Sequence, residues 1–452
     1  MSDTTALMLN PTVPYDPFVG NYINFAGIAI PYEYTGWEAE TLAWKESCYL
    51  SANLSGAMAC HSLSGPDALK VLNEWLVNDF TDMEIGAGRH GIMVTRKGNV
   101  IEHGMILRFA ENEFGAYAFQ PYLNFIVESG RYDVELIASP LKDLPVHDFI
   151  YQLAGPRSLE IVEQAARQDL HDLGFMRFTD AKIAGHAVRI IRMGMGGTLS
   201  YEVHGPLAAS HDVYNALFTV GAPYGMKKMG WWSYMCNHTE NGFPQIGNHF
   251  PYPFVDEPEF LEYVRSNPFA FDPTLLPPLG SLSDDINDYF RNPYELGWEH
   301  MVDLNHDFHG RDALLEIAKD HRVMVTLLWN ADDILEVERS WYTPGAQPYR
   351  KVVRPYDYAG NGFGNCQEKV LSADGALVGV SMHETYTLYY QQTISLCSID
   401  SEYAGIGTEV FVEWGGRGCP VKRIRATVAR YPYLDLAANR DYDIGSIPRY
   451  KD

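Results

Sequence analysis

Positive charge is the scarcest resource in this chain: 34 lysines and arginines stand against 58 acids, for a formal charge of −24 over 452 residues. That balance excludes a nucleic-acid partner, which needs basic patches to displace counterions. It also disfavours long-range capture of anions, so an anionic ligand would need Arg or Lys focused at its site. Cysteine is sparse too. Cys48, Cys60, Cys236, Cys366, Cys397 and Cys419 are scattered and form no CxxC pair. Such thiols read as reduced and buried in a cytosolic protein, without a disulfide or zinc framework. No run of about 18 apolar residues occurs, so no membrane span is expected. The start, "MSDTTALMLNPTVPYDP", lacks the basic stretch and apolar run of a secretory signal, and the expected location is the cytoplasm. H-E-x-x-H and G-x-S-x-G are absent, and no histidine pair has ligand spacing, which argues against a metal or a serine nucleophile. "GMGG" (194–197) and "GNGFGN" (360–365) do not sit as G-x-G-x-x-G between a strand and a helix, so no phosphate cradle is expected.

What is present is a soluble composition, 46% hydrophobic and 20% charged, in a chain too long for one ordinary core. Residues 37–80 read as helix, strand, helix: "GWEAETLAWKES", then "YLSANLSGAMACHSLSG", then "PDALKVLNEWLVNDF" with Pro at its first turn. "GIMVTRKGNVIEHGMILRF" reads as a hairpin with "RKGN" at its tip, and "FGAYAFQPYL" as a further strand. Residues 147–221 repeat the alternation of strands and helices, so two related α+β lobes are expected. From about residue 320 short strands and turns predict a C-terminal antiparallel barrel or sandwich.

Two stretches stand apart. "DLHDLG" (169–174) fits D-x-H-x-x-G, a spacing by which histidine reaches a corrinoid cobalt, but no doubly wound module follows; the expected reading is a helix end stopped by Gly174. "GWWSYMCNHTENGFPQIGNHFPYPF" (230–254) opens a segment to about 300 rich in aromatics, Pro and Asp, too long for an ordinary connector. It is either a surface loop of odd composition or the wall of a site.

"SGPDALKVLNEWLVNDFTDMEIGAGRHGIMVTRKGNVIEHGMILR", "GWEHMVDLNHDFHGRDALLE" and "KVLSADGALVGVSMHETYTLYYQQTISLCSIDSEYAGIGTEVFVEW" resemble, in order, three segments of the glycine-cleavage T-protein (aminomethyltransferase) family. The resemblance implies an α+β three-domain cloverleaf: two interleaved α+β lobes (1–57 with 145–230, and 58–144 with 231–318) and a C-terminal β-barrel (319–452). It also implies tetrahydrofolate in a central channel. In "RMGMGGTLSYEVHGP", Tyr201 and Glu202 occupy the place of the family's aromatic and pterin-holding Glu. A carboxylate can accept two parallel N–H bonds from the 2-amino-pyrimidinone edge; otherwise Glu202 is a strand-end acid. Met58 falls where the family has a Met beside the folate, or else fills the core. Gln120 lies about where a folate-contacting Asn stands. The family's catalytic Asp pair reads Glu102-His103 here, which weakens an aminomethyl reaction and could place an imidazole at the reacting carbon.

The "GWEAETLAW" helix, the 231–300 segment and "YMCNHTENG" resemble the branch of tetrahydrofolate-dependent enzymes that demethylate lignin-derived aryl ethers, and put Tyr234 at their Y-x5-E-x-G tyrosine. Those enzymes carry a Gln and paired His before Met58 and an Arg near 120; this chain reads "NLSGAM" and Gln120. The implied activity is one-carbon transfer from an aryl ether to folate, with Tyr234 and His103 as candidate acids. The carbon is a methyl, or the methylene of a methylenedioxyphenyl compound such as the lignan sesamin. The partner is then a small aromatic ether, with no corrinoid protein.

Overall fold

The computed structural model describes residues 8–451 except 26–27, 54, 56–61, 138–146, 268–271, 273, 275, 353–364 and 417. Met58 lies outside the described residues. A six-stranded sheet runs in the order Phe178–Ile183, His186–Ile191, Ser200–Pro206, Asp148–Ala154, Tyr49–Ser51, Lys227–Lys228. In its Ser200–Pro206 strand, Tyr201 and Val203 point into a core with Leu159 and Val162 of the helix Ser158–Ala166 and Val213 and Leu217 of the helix Ser210–Gly221. Strand alternation turns Glu202 and His204 to the opposite face. The sheet therefore has one face under helices and one left for a site.

A five-stranded sheet follows the order Gly88–Val94, Val100–Ala110, Glu113–Tyr117, Ser62–Ser64, Glu135–Ile137. The expected "RKGN" hairpin is there, turning at Gly98 with φ +84, a conformation that L side chains rarely adopt. Helices Ala68–Trp75, Tyr122–Glu128 and Pro258–Ser266 cover its outer face with Val71, Leu72, Leu123, Phe260 and Val264. The uncovered faces of the two sheets meet at Leu107, Tyr117, Ile191 and Met193.

Of the barrel and the sandwich, the C-terminal strands form the barrel. Cys366–Leu371, Leu377–Thr387, Gln392–Ile399, Val323–Trp329, Cys419–Ala429 and Glu409–Gly416 close where Val370 and Leu371 pair with Val412 and Phe411. Closure leaves no unpaired edge among these strands.

Two expectations change. The helix Ser158–Ala166 stops at Arg167, left-handed with φ 52, before the D-x-H-x-x-G stretch begins. Gly174 is thus no helix stop. His171 instead meets Glu163 Oε1 at 2.9 Å and donates through Nε2 to the Ile447 carbonyl at 2.9 Å, fixing the C-terminal segment to the six-stranded sheet's side of the molecule. The start of the aromatic-rich segment is regular: Trp231–Glu240 is an α-helix with all ten residues buried. It packs against the helix Trp37–Glu46 and the barrel strand Leu377–Thr387. Burial on every side erases the amphipathic stripe by which a helix is read. Some of its polar groups bond inside the protein, as where Asn237 Nδ2 donates to the Gly196 carbonyl at 3.2 Å.

Candidate active site

The facing sheets enclose a cleft of about 80 Å³ lined by Ile150, Met193, Met195, Glu202 and His204 on one side and His90, His103, Met105, Tyr117 and Ala118 on the other, with Phe243 and Gln245 also in its lining. Pairing between strands sets Glu202 opposite Gln152, and His204 opposite both Ile150 and Arg189. Glu202 Oε2 accepts from His204 Nε2 at 2.9 Å, which leaves Oε1 for a ligand. Gln152 Oε1 is taken by the Tyr49 hydroxyl at 2.9 Å. The other ends of these groups, Gln152 Nε2 and His204 Nδ1, are buried without a hydrogen-bond partner among the described residues. A buried polar atom left unpaired costs about 1–3 kcal/mol. Two such atoms beside an open carboxylate oxygen mark a place built for a polar ligand edge.

His103 stands across the cleft. The amide of Ile246 donates to its Nε2 at 3.3 Å, so Nδ1 carries the proton and donates to His90 Nε2 at 3.1 Å. His90 Nδ1–H then faces Met301 Sδ at 3.1 Å. Burial pushes His90 down to about 3 and His103 well below the ordinary imidazole range. Both are neutral at physiological pH, and His103 meets the cleft as an uncharged wall tilted against Trp298, 4.8 Å between ring centres. Glu102 alternates to the other face of its strand, buried, with its carboxyl pushed up by desolvation.

The remaining candidates separate. Tyr201 faces the helix-covered core, away from Glu202. Gln120 folds back on its own backbone, Oε1 accepting from the Phe119 amide at 3.2 Å, and is not among the residues lining the cleft. Tyr234 is also outside that lining; it is buried beside Tyr49 in a shared core, its ring 4.4 Å from His238 and 5.3 Å from Trp231. Sequence reasoning missed His204, Gln152, His90 and Phe243. His204 was within reach, since residues two apart on a strand share a face. Gln152 was not, because strand pairing over 50 residues leaves no local trace.

His238, His249 and His383 are likewise buried and pushed down by desolvation, His238 and His383 to about 4. A histidine kept neutral in the fold gives stability that is present above pH 6.5 and lost as pH falls toward its folded value, because the unfolded chain then binds the proton first. His238→Asn keeps a donor for the Phe243 carbonyl, which His238 Nδ1 reaches at 2.8 Å. Between pH 7 and pH 5 the native chain is expected to lose about 2 kcal/mol more stability than this variant, read from denaturant midpoints at the two pH values. Equal losses would show that His238 titrates alike in both states.

The fold and cleft define a class. A model of the GCVT N-terminal domain family matches residues 19–251, and the chain belongs to that family. It is 41% identical over 429 residues to the sesamin methylene transferase of Sinomonas sp. (strain No.22), covering 93% of this chain and 94% of that protein. It is 29% identical over 429 residues to the syringate O-demethylase of Sphingobium sp. (strain NBRC 103272 / SYK-6), covering 90% of each. The aminomethyltransferase T of the Bartonella henselae glycine cleavage system superposes with a TM-score of 0.64 over 96% of this chain and 99% of its own, at 16% identity, which shows the shared fold. The expected α+β T-protein architecture with a C-terminal barrel is thus the fold of this chain. The protein is a tetrahydrofolate-dependent methyl or methylene transferase. No helix among the described residues is long and apolar enough to cross a membrane.

Proposed function

We propose that this enzyme cleaves the aryl ether bonds of a methylenedioxyphenyl compound such as sesamin, giving a catechol and 5,10-methylene-tetrahydrofolate. The observation that carries the reading is the charge of the inner cleft: its described lining holds one carboxylate, Glu202, and no lysine or arginine. A benzoate there would lose its water without gaining a counter-charge, and leaving a buried charge unpaired is costly. A neutral, flat aryl ether meets Phe243, Tyr117 and three methionine side chains instead. The similarity to a sesamin methylene transferase points the same way.

Glu202 Oε1 and the unpaired atoms of Gln152 and His204 are the groups that would hold the amino-pyrimidinone edge of tetrahydrofolate. When bound, tetrahydrofolate supplies the amine that accepts the carbon. Tyr234 is assigned to hand a proton to the departing aryl oxygen. His103, held neutral, closes the wall opposite Glu202 without repelling an uncharged substrate. In this reading the chain works as 1–57 with 145–230, 58–144 with 231–318, and 319–452 around one channel. The carbon passes between small molecules, with no corrinoid protein, nucleic acid or membrane as partner.

Anaerobic incubation with tetrahydrofolate and either sesamin or a methoxybenzoate, with the folate product identified by mass, tests the reading. The lignan is expected to give 5,10-methylene-tetrahydrofolate. Formation of 5-methyl-tetrahydrofolate from the benzoate alone would replace it with an O-demethylase. Glu202→Gln keeps the shape but loses the charge, and is expected to weaken tetrahydrofolate binding by about 2 kcal/mol, roughly 30-fold in Kd by titration. An unchanged Kd would remove Glu202 from the site.

A further inference from the structure

We propose that the recess behind His90 receives the second, non-reacting aryl ring of a two-ring lignan, and that the enzyme therefore favours two-ring over one-ring methylenedioxyphenyl compounds. The proposal rests on the methylenedioxyphenyl reading above and adds where the rest of the substrate lies.

A cleft of about 80 Å³ cannot take a whole lignan. Sesamin carries two methylenedioxyphenyl rings joined by a fused bicyclic ether, so the half that does not react needs its own place. His90 lines the inner cleft and also a wider recess of about 560 Å³. That recess opens at the free edge of the five-stranded sheet, where Gly88–Val94 is the outermost strand. Strand alternation puts Gly88 and His90 on one face. Gly88 leaves that face bare beside the ring. A Cβ there would stand 3.0 Å from Leu107 Cδ2 and 3.4 Å from Met105 Sδ, and Met105 belongs to the inner cleft. The φ of Gly88 lies outside the left-handed region, so glycine supplies space here and not a special backbone conformation. At the junction His90 Nδ1 meets Met301 Sδ at 3.1 Å, and Met301 lines the recess. His90 and His103 stand across the cleft from Glu202, so the recess is reached from the ether's side and not from the edge that would hold the pterin.

The lining suits a neutral, electron-rich ring. Phe175, Met176 and Met301 give it apolar surface, and flexible thioethers adapt to flat aromatic partners. The exposed Arg440 guanidinium lies 5.3 Å from the Phe175 ring centre, where it can also cover a second ring laid beside Phe175. Two ether oxygens enrich the methylenedioxyphenyl ring in electrons, which favours a cation over its face. Arg89 is already engaged by Asp82 Oδ1 at 2.9 Å and by the Asp79 carbonyl. Asp79, Asp82 and Asp303 share the lining, so an anionic ring is repelled there and an uncharged one is not.

The test compares sesamin with 1,3-benzodioxole, which offers the reacting ring alone, under anaerobic turnover with tetrahydrofolate. Burial of the second ring is expected to raise kcat/KM for sesamin at least about tenfold above that for benzodioxole, a difference of about 1.4 kcal/mol. Phe175→Ala removes the platform but can disturb the chain around a half-buried ring, so Arg440→Glu, at an exposed position, is measured beside it. Each is expected to cut the advantage of sesamin about threefold or more, while kcat/KM for benzodioxole changes less. Equal kcat/KM for the two compounds on the native chain, or an advantage that survives both substitutions, overturns the proposal. Absence of 5,10-methylene-tetrahydrofolate from both compounds would overturn the methylenedioxyphenyl reading itself, and this proposal with it.

Discussion

Tyr234→Phe is expected to lower turnover of an aryl ether by at least about 100-fold, because a positioned proton donor contributes about 10²–10⁴-fold. The substitution removes one oxygen and keeps the ring that packs beside Trp231 and His238. Folate affinity is therefore expected to stay within a few-fold of the native value, since Tyr234 is outside the lining of the cleft that holds Glu202. That split between kcat and Kd is the informative readout. Full turnover in the variant would remove Tyr234 as the acid. Equal losses in turnover and folate binding would mean that the tyrosine only supports the packing of the helix Trp231–Glu240.

The second large effect concerns the anchor of that same helix. Glu240 at its last turn meets Lys45 of the helix Trp37–Glu46, Nζ to Oε2 2.6 Å, and both side chains are fully buried. Trp44 Nε1 donates to the same carboxylate oxygen at 3.0 Å. Burial pushes the Lys45 ammonium down, with Glu240 opposing it. Breaking a buried pair strands one charge in the interior, so Glu240→Ala is expected to cost about 3–5 kcal/mol of stability. The double variant Lys45→Met with Glu240→Leu removes both charges and is expected to recover most of that loss. Chemical denaturation of the single and double variants measures both values. A single variant as stable as the native chain would show that the pair is solvated.

The connection between the two predictions is structural. The helix that carries Tyr234 has no solvent face, so its position is set by polar anchors as much as by apolar packing. Its neighbours come from the N-terminal helix, the six-stranded sheet through Tyr49 and the barrel through Thr385, whose hydroxyl lies 2.8 Å from Cys236 Sγ. Loosening any of these contacts would move the proposed acid relative to the cleft.

Much of this was legible in residues alone. Alternating apolar patterns and turn residues placed the strands and helices of both lobes, the "RKGN" hairpin and the C-terminal strand region. The order of segments carried the family, and with it folate, while Glu202 entered as an expectation on that resemblance. Charge was equally readable: −24 on the chain, with no cation expected at the substrate, leads to a neutral ligand. These features are local or compositional, and so each leaves its mark on a short stretch. The tertiary structure decided what depends on pairing between distant strands and on burial. Register set Gln152 beside Glu202 and His204 opposite Ile150 and Arg189. Burial made His103 a neutral wall where the isolated imidazole would titrate near neutrality, and turned Tyr201 into a core residue one position from the site. A strand's sequence states which side chains alternate; which face meets water, a ligand or another sheet is decided only when the sheets close on one another.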